Sequence, residues 1–315
     1  MMTRSQQPPI STLRPQPGVS PSGPLYVVAT PIGNLSDISQ RAIDTLRQVR
    51  WIAAEDTRVS RVILQKIGAT APMLSLHAHN EIAATPRLIE RLQHGESVAL
   101  ISDAGTPALS DPGALLIAAA HDAGVVVIPI PGASAALALL SCAGLPPGPF
   151  LFQGFLPDRT KQREQRLTQL LKQLDRQGAH LVLFEAPHRI AACLASLAAV
   201  FPPERTIAIG RELTKLHEQI YRGQVGAAAQ WLAADANRQR GEFVIAVAAA
   251  PRTEVSLVSD EVTIEVDSLL RRLLPDLALS QAVRIAQDLT GRPHRDLYQR
   301  ALTLSSIISG SDDSS

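Results

Sequence analysis

The amino-terminal half of the chain alternates short, almost continuously apolar runs with segments of helical periodicity, and this alternation restricts the fold more than any other feature. In Ser39–Val49, for example, the apolar residues recur at spacings of three and four and share one helical face. Strands that are apolar on both faces are typical of parallel sheets covered by helices. The sequence therefore predicts an α/β fold with a mostly parallel sheet. The runs before residue 145 are LYVVAT, WIAAE, MLSLH, SVALIS and VVVIPI.

The segment LPPGP (Leu145–Pro149) interrupts this rhythm and predicts a domain boundary. The runs that follow are more mixed in composition, so we expect some antiparallel pairing among them: FLFQGF, HLVLFEA, TIAIGRE, EQIYRG and GEFVIAV. After Pro251, helical patterns cover Val266–Leu274, Ser280–Leu289 and Leu297–Leu304. The predicted organisation is a disordered tail (1–24), an α/β domain carrying the cofactor loops (25–144), a second α/β domain (145–252), a helical segment (253–306) and a disordered end (307–315).

Two helix starts are predicted from proline positions. Thr85 to Leu92 is expected to form a helix with Pro86 at its first position, where a missing N–H costs nothing. A helix is expected over Ala114–Ala123; if the loop before it is only a pair of tight turns, Pro112 would be the first helical position and Ser110 or Asp111 the N-cap.

Composition excludes several classes of protein. No apolar run reaches the roughly 18–20 residues that a membrane span needs. The first 24 residues contain six prolines and no apolar core, so we expect a flexible tail rather than a signal peptide. Only Cys142 and Cys193 are present, which favours a reduced, cytoplasmic protein without a disulfide framework. The net charge of +1 argues neither for nor against a nucleic-acid partner.

Ligands of open parallel sheets bind beyond the carboxyl ends of the strands, so the loops there are the candidates for chemistry. The most unusual is LISDAGTPALSDPG, which follows the fourth strand. Gly105 and Gly113 allow main-chain N–H groups to approach a ligand, Pro107 and Pro112 stiffen the loop, and Asp103 offers an acceptor. The alternative is two tight turns before a helix. Neither GxGxxG nor GxxxxGK[ST] occurs, which disfavours the dinucleotide and P-loop sites.

The loop HAHNE supports a rival interpretation. His77 and His79 are two residues apart at a predicted strand end, so both would point to one face, as in metal-dependent hydrolases. Such a site needs further ligands, for which the candidate histidines are His188 and, as a second choice, His217. A polar contact to substrate, or a plain hydrogen-bonding role, remains open for this pair.

Two further loops place carboxylates at strand ends. In EDTR, Asp56 is either a site residue or, with Thr57 as the other candidate, the N-cap of the next helix. In FEAPHR, Glu185 ends an apolar strand and is either a site residue or a cap before Pro187.

Cationic side chains cluster in two places. Between Asp158 and Arg176 they include Arg159, Lys161 and Arg163, which indicates either a solvated helix face or a surface that follows phosphates. The last helical segment has a helix-turn-helix pattern with Arg292 and Arg295 near its turn.

Taken together, the order and placement of these loops resemble one family closely, from Leu25 to about Leu304. It is the bacterial 16S ribosomal RNA cytidine 2′-O-methyltransferase family, called ribosomal RNA small subunit methyltransferase I, of the tetrapyrrole-methylase fold. The motifs that carry the resemblance are VATPIGNLSDISQRA, AEDTR, HAHNE, ISDAGTPALSDPG, PGASA, GFLP, FEAPHR, RELTKLHEQIYRG and GEFVIAV.

The resemblance implies two α/β domains with S-adenosylmethionine bound in the cleft between them and a small C-terminal helical segment that grips RNA. It implies no metal, and its partners would be 16S ribosomal RNA or the small ribosomal subunit, with a second copy of the chain in a homodimer. The candidates for the base that removes a ribose hydroxyl proton are Asp56, His77, His79 and Glu185. The residues implied to contact RNA are Arg58, Arg159, Lys161, Arg163, Arg292 and Arg295. The residues implied to bind the cofactor are Ile32, Gly33, Asp103, Ala104, Gly105, Thr106, Leu109, Ser134, Ala135 and Phe184.

Three alternatives stay open at this point. A small-molecule methylase of the same fold, acting on a corrinoid or porphyrin, predicts no terminal helical segment. A metal hydrolase predicts metal ligands around HAHNE. A non-catalytic RNA-binding module predicts no cofactor cleft.

Overall fold

Five parallel strands form the first sheet of the computed structural model, which describes residues 22–251 and 266–309. The spatial order is β3-β2-β4-β1-β5, so β1 lies between β4 and β5. The sequence-based expectation of a parallel sheet is therefore confirmed. The strands are β1 (Leu25–Val28), β2 (Trp51–Ala54), β3 (Met73–Ser75), β4 (Val98–Ile101) and β5 (Val127–Ile130).

A helix follows each of these strands, and the first two helices begin at side-chain caps. The side chain of Ser39 accepts a hydrogen bond from Ala42 N (3.1 Å) at the start of the first helix. The second helix ends at Gly68, whose φ of 71° is the left-handed conformation that glycine adopts readily. The helices are α1 (Gln40–Gln48), α2 (Thr57–Ile67), α3 (Glu81–Gln93), α4 (Ala114–Asp122) and α5 (Ala135–Cys142).

Both faces of the first sheet are buried, because successive strand residues point to opposite sides. Tyr26 and Ile52 pack in a cluster on one face, whereas Leu25 and Leu100 belong to a separate cluster on the other. This accounts for the almost continuous apolar runs of the sequence.

The second sheet is mixed, as its less regular sequence predicts. Its order is β6-β7-β10-β8-β9; β6 and β7 are parallel, and the other neighbours are antiparallel. Its strands are β6 (Phe150–Gly154), β7 (His180–Glu185), β8 (Thr206–Arg211), β9 (Gln219–Gln224) and β10 (Phe243–Val247). The accompanying helices are α6 (Thr160–Gln177), α7 (Ile190–Val200) and α8 (Val225–Ala233).

Residues from Pro251 onward form a separate compact unit. Its described part consists of the helices α9 (Val266–Leu273), α10 (Leu279–Thr290) and α11 (His294–Ser309), the last of which extends beyond the predicted Leu304. A small core that includes Leu270, Val283 and Leu297 holds the three helices together. The predicted tails fall almost wholly outside the described residues. Among the described residues, no helix combines the length and apolarity that a bilayer crossing requires.

The predicted start of α3 is wrong, whereas α4 begins at Ala114 as predicted. Helix α3 begins at Glu81 rather than Thr85, with Pro86 inside it. Helix α4 is preceded by Gly113, not capped by Ser110 or Asp111. The Glu81 carboxylate accepts hydrogen bonds from Gly113 N (2.8 Å) and Leu115 N (2.9 Å), so the first turn of α3 is tied to the start of α4. Sequence periodicity contains no signal for such a long-range cap.

Candidate cofactor and active site

The loops that follow β1, β4 and β5 meet at the carboxyl edge of the first sheet, because these strands are neighbours. Thr30 and Gly105 exchange two backbone hydrogen bonds, Thr30 N to Gly105 O (2.8 Å) and Gly105 N to Thr30 O (3.0 Å). Thr106 Oγ1 donates to Ala133 O (3.2 Å), which joins the β4 loop to the β5 loop. The three loops therefore form one connected platform.

Gly105 has the most restricted backbone conformation in the contacts between these loops. Its φ is 81°, a left-handed conformation that side chains with a Cβ rarely adopt. A Cβ built at this position would lie 3.3 Å from Ile32 Cγ2 and 3.7 Å from Ala133 O. Only glycine allows the main chain to pass here without strain.

Helix α5 connects this platform to the second sheet. Its residues Ala136 and Leu139 pack in one buried cluster with Val182 of β7, Ala208 of β8 and Val244 of β10. The carboxyl edge of the first sheet is therefore held against the second sheet by apolar packing.

A cavity of about 400 Å³ lies between the two sheets. This volume falls within the range of roughly 300–1,000 Å³ that is usual for small-molecule sites. Of the ten residues expected to bind the cofactor, Gly33 and Asp103 are not among those that line the cavity. The eight that do line it are Ile32, Ala104, Gly105, Thr106, Leu109, Ser134, Ala135 and Phe184.

Aromatic side chains form the second-sheet wall of the cavity. The rings of Phe152 and Phe184 meet edge to face with centroids 4.9 Å apart, and those of Phe155 and Phe184 with centroids 5.9 Å apart. Phe155 remains 50% exposed and presents a ring edge or face to an incoming group. Lys215 and Glu242, which form an ion pair of 3.0 Å, line the cavity as well.

Glu185 also belongs to this wall; Oε1 of its carboxylate is engaged, whereas the buried Oε2 accepts no hydrogen bond from the described residues. The side chain is fully buried. Oε1 accepts from Ala186 N (2.9 Å) and lies 3.0 Å from Nε of Arg189, and the Cys193 thiol lies against the same carboxylate. These contacts match the capping interpretation of Glu185 better than the catalytic one.

Asp56 and His79, which the sequence analysis also named as candidates for the base, lie outside the lining of the cavity. Asp56 caps α2, accepting from Arg58 N (2.8 Å), and pairs with Nη2 of Arg58 at 2.6 Å. The hydrogen bonds from Arg58 lower the pKa of Asp56 to about 2, so this carboxylate is a very weak base. Because β3 ends at Ser75, His77 and His79 lie in the following turn rather than at a strand end, and His79 is exposed.

In the described residues, His77 and His79 do not belong to a larger group of metal-ligating side chains. The rings of His77 and His79 have centroids 6.0 Å apart. Among residues 22–251 and 266–309, no group of three or more His, Cys, Asp or Glu side chains is arranged to hold a metal ion. The hydrolase interpretation thus lacks its additional ligands in this part of the chain.

Asp111 is a site residue that the sequence reasoning missed. It lines the cavity, and burial raises its pKa to about 6, with nearby Glu55 acting in the same direction. An Asp before Pro and Gly is typical of a helix cap, and this pattern concealed it. In the structure it is the Glu81 carboxylate, and not Asp111, that accepts hydrogen bonds from the backbone N–H groups at the start of α4.

The residues expected to contact RNA differ in their solvent exposure. Arg58, Arg159, Lys161, Arg292 and Arg295 are exposed. Arg163 is not, and its assignment as an RNA contact is wrong on geometric grounds. It is only 2% exposed, and its guanidinium donates to Ser196 Oγ (2.9 Å), Asp158 O (3.0 Å) and Thr160 Oγ1 (3.2 Å). A buried, hydrogen-bonded guanidinium cannot reach a phosphate backbone.

We expect Arg163→Ala to lower the free energy of unfolding by about 2–4 kcal/mol, because it removes three hydrogen bonds and leaves buried acceptors unpaired. Denaturant unfolding measures this change. Lys161→Ala, two residues away and exposed, is the matched control and should alter stability by no more than about 0.5 kcal/mol. Normal stability of Arg163→Ala combined with weakened RNA binding would contradict the structural role.

Comparisons with known proteins agree with this geometry. The family model described as Tetrapyrrole (Corrin/Porphyrin) Methylases matches residues 24–229. A solved structure of a diphthine synthase superimposes with a TM-score of 0.56 at 18% identity, covering 71% of this chain and 89% of that one. The fold and the cavity therefore define a methyltransferase of the tetrapyrrole-methylase class.

The remaining comparisons place the chain more narrowly. A second family model, described as RsmI C-terminal HTH domain, matches residues 260–305. A relative from Xylella fastidiosa (strain Temecula1 / ATCC 700964) is 45% identical over 89% of this chain and 99% of its own length, and one from Pseudomonas aeruginosa is 44% identical over 89% and 97%. Both are named ribosomal RNA small subunit methyltransferase I, and the chain belongs to that family. Its methyl donor is S-adenosylmethionine.

Proposed function

We propose that this protein transfers the methyl group of S-adenosylmethionine to the ribose 2′-hydroxyl of a cytidine in 16S ribosomal RNA of the small ribosomal subunit. The observation that carries the proposal is the cavity between the two sheets, with its main-chain platform at Gly105. The names of the relatives support ribosomal RNA as the substrate class. The cytidine and its 2′-oxygen are the finer part of the proposal and rest on the resemblance of the loop sequences.

The residues of the cavity fit the donor. Apolar and aromatic side chains such as Leu109 and Phe184 suit an adenine ring and a methionine chain. The N–H and C=O of Gly105 are bonded to Thr30, so this glycine fixes the position of the loop backbone beside Ile32 in the cavity wall. We propose that the β4 loop holds the methionine and ribose portions largely through backbone groups.

When bound, S-adenosylmethionine supplies a methyl group that its sulfonium already activates. The chain's own task is then to hold the acceptor oxygen in line with that methyl group and to exclude water. A ribose hydroxyl is a weak acid, so a positioned carboxylate that accepts its proton assists the reaction.

Recognition of RNA is proposed for the exposed cations and for the C-terminal helical unit. Arg159 and Lys161 stand at the start of α6, and Arg292 and Arg295 flank the turn between α10 and α11. Exposed arginines and lysines of this kind bind phosphates without reading sequence. The match of residues 260–305 to a helix-turn-helix family favours RNA over a small corrinoid or porphyrin substrate. Homodimer formation and a cytoplasmic location stay predictions.

Mass spectrometry of ribosomal RNA tests the proposal directly. Purified protein and S-adenosylmethionine are incubated with small subunits from a strain in which the gene is deleted, and nuclease fragments are then mapped. We expect a mass gain of one methyl group on the ribose of a single cytidine. Methylation on a base, or transfer only to a corrinoid or porphyrin offered in parallel, would contradict the proposal.

A further inference from the structure

We propose that Asp111 is the catalytic base that accepts the hydroxyl proton of the RNA acceptor. This inference rests on the proposed function and deepens it, since it names the group that activates the nucleophile. Asp111 lines the cavity together with Thr106 and Leu109 of the same loop, and Phe155 and Phe184 from the second half of the chain line the same cavity.

The surroundings of Asp111 leave its carboxylate available to a substrate. Within residues 22–251 and 266–309 it forms no ion pair of 4 Å or less. A hydrogen bond links it to the Ser102 side chain, and the charged groups that act on it are the carboxylates Glu55 and Asp103. Burial raises the pKa of Asp111 to about 6, so the group is largely ionised at neutral pH and still basic enough to take a proton.

The other charged groups of the cavity wall are engaged elsewhere. Glu185 is fully buried and paired with Arg189. Lys215 pairs with both Glu212 and Glu242 at 3.0 Å. Asp111 is therefore the one cavity-lining carboxylate in the described residues that lacks a cationic partner.

The backbone that carries Asp111 is strained in a manner typical of functional loops. Ala108 and Ser110 have φ angles of 64° and 74°, although neither is a glycine. Ser110 packs against the second sheet, where a Cβ on Gly154 would lie 2.6 Å from Ser110 Oγ. The approach of Ser110 to Gly154 is therefore one contact that holds the segment in a conformation that the chain alone disfavours.

The proposed step balances in atoms and electrons. The ribose oxygen forms a bond to the methyl carbon while the carbon–sulfur bond breaks and its electron pair stays on sulfur. The hydroxyl proton passes to a carboxylate oxygen of Asp111 and from there to water. The products are the methylated ribose and S-adenosylhomocysteine.

Asp111→Asn tests this role, because it keeps the shape of the side chain and removes its basicity. We expect single-turnover methylation of small subunits to fall about 100-fold or more at pH 7.5, whereas the Kd for S-adenosylmethionine, measured by calorimetry, changes less than about threefold. The wild-type rate should rise with pH up to an inflection near 6, and the variant should lose that inflection. Asp122→Asn, an exposed change at the far end of α4, is the control for the loss of one negative charge.

A second measurement, of thermal stability as a function of pH, requires no methyl donor. A carboxyl whose pKa is raised in the native state binds its proton more tightly there than in the unfolded chain, so stability falls as pH rises from about 4 to 6. Asp111→Asn removes that loss of stability. We therefore expect the difference Tm(Asp111→Asn) − Tm(wild type) to be about 2–4 °C more positive at pH 8 than at pH 4.5.

The outcomes distinguish failure of this inference from failure of the proposed function. If wild-type protein methylates small subunits and Asp111→Asn does so at the same rate with the same pH profile, Asp111 is not the base. Loss of activity in Glu185→Gln with Asp111→Asn unaffected would move the role to Glu185. If wild-type protein itself transfers nothing to the RNA, the proposed function fails, while the Tm comparison still tests whether Asp111 is a perturbed carboxylate.

Discussion

Gly105→Val is expected to lower the affinity for S-adenosylmethionine at least about 100-fold while the protein stays folded. Two effects act together. The left-handed backbone at φ 81° disfavours a β-branched residue, and its Cβ would stand 3.3 Å from Ile32 Cγ2 before the two methyl groups are added. Either the platform shifts, or the methyl groups occupy space that the donor needs. Isothermal titration calorimetry measures the loss.

Gly124→Val is the matched control for Gly105→Val. Gly124 also has a left-handed φ of 68°, but a Cβ there meets nothing within 4 Å, and the residue does not line the cavity. Gly124→Val therefore introduces the backbone strain but does not obstruct the cavity, and we expect its affinity for S-adenosylmethionine to stay within about twofold of the wild-type value. Unchanged affinity in a folded Gly105→Val protein would show that the donor does not approach the main chain at this loop.

The architecture around this platform was predictable because local signals agreed with one another. Apolar runs alternate with amphipathic helical patterns, and buried parallel strands require such runs. Gly105 could be singled out because glycine beside proline at a strand end indicates an unusual backbone. The convergence of the loops after β1, β4 and β5 then follows from the strand order, which general rules of parallel sheets anticipate.

Other features depend on contacts between residues that are far apart in sequence. The Glu81 carboxylate accepts hydrogen bonds from backbone N–H groups at the start of α4, more than thirty residues away in the sequence. Glu81 thus occupies the position at the start of α4 for which Asp111 was a candidate cap. Arg163 belongs to a cationic run that resembles a solvated helix face, yet its position in α6 turns it toward Ser196 of α7. Residue type and spacing do not encode which charges are buried, because burial is decided by tertiary packing.

The same distinction applies to the candidates for the base. Asp56, His79 and Glu185 lie at or after strand ends, where site residues are expected, but Asp56 and Glu185 are paired with neighbouring arginines. Asp111 lies ten residues after the end of β4 and looks like a cap. Its exceptional property is its partial burial in the cavity wall, which no local sequence pattern reveals.

Removing the chain after Pro251 is expected to reduce methylation of small subunits by about 100-fold while leaving the affinity for S-adenosylmethionine within about threefold. The cavity is lined entirely by residues that precede Pro251, and these residues form a compact unit of their own, so donor binding should not depend on the removed part. RNA binding should depend on it, because each phosphate contact from an arginine releases counterions and strengthens the association. Calorimetry and single-turnover kinetics on isolated subunits measure the two quantities separately.

A double substitution in the complete chain, Arg292→Ala with Arg295→Ala, separates loss of phosphate contacts from loss of the helical unit as a whole. Both side chains are exposed, so the three-helix core that contains Leu297 should persist. Two lost contacts should lower the slope of log Kd against log salt concentration by about 1.5, with an intermediate loss of activity at physiological salt.

If the truncated protein methylates subunits as fast as the complete chain, the C-terminal helices have no part in holding the RNA. An unaltered salt slope in the double variant would instead move the phosphate contacts to other cations, with Arg159 and Lys161 at the start of α6 as the next to be replaced.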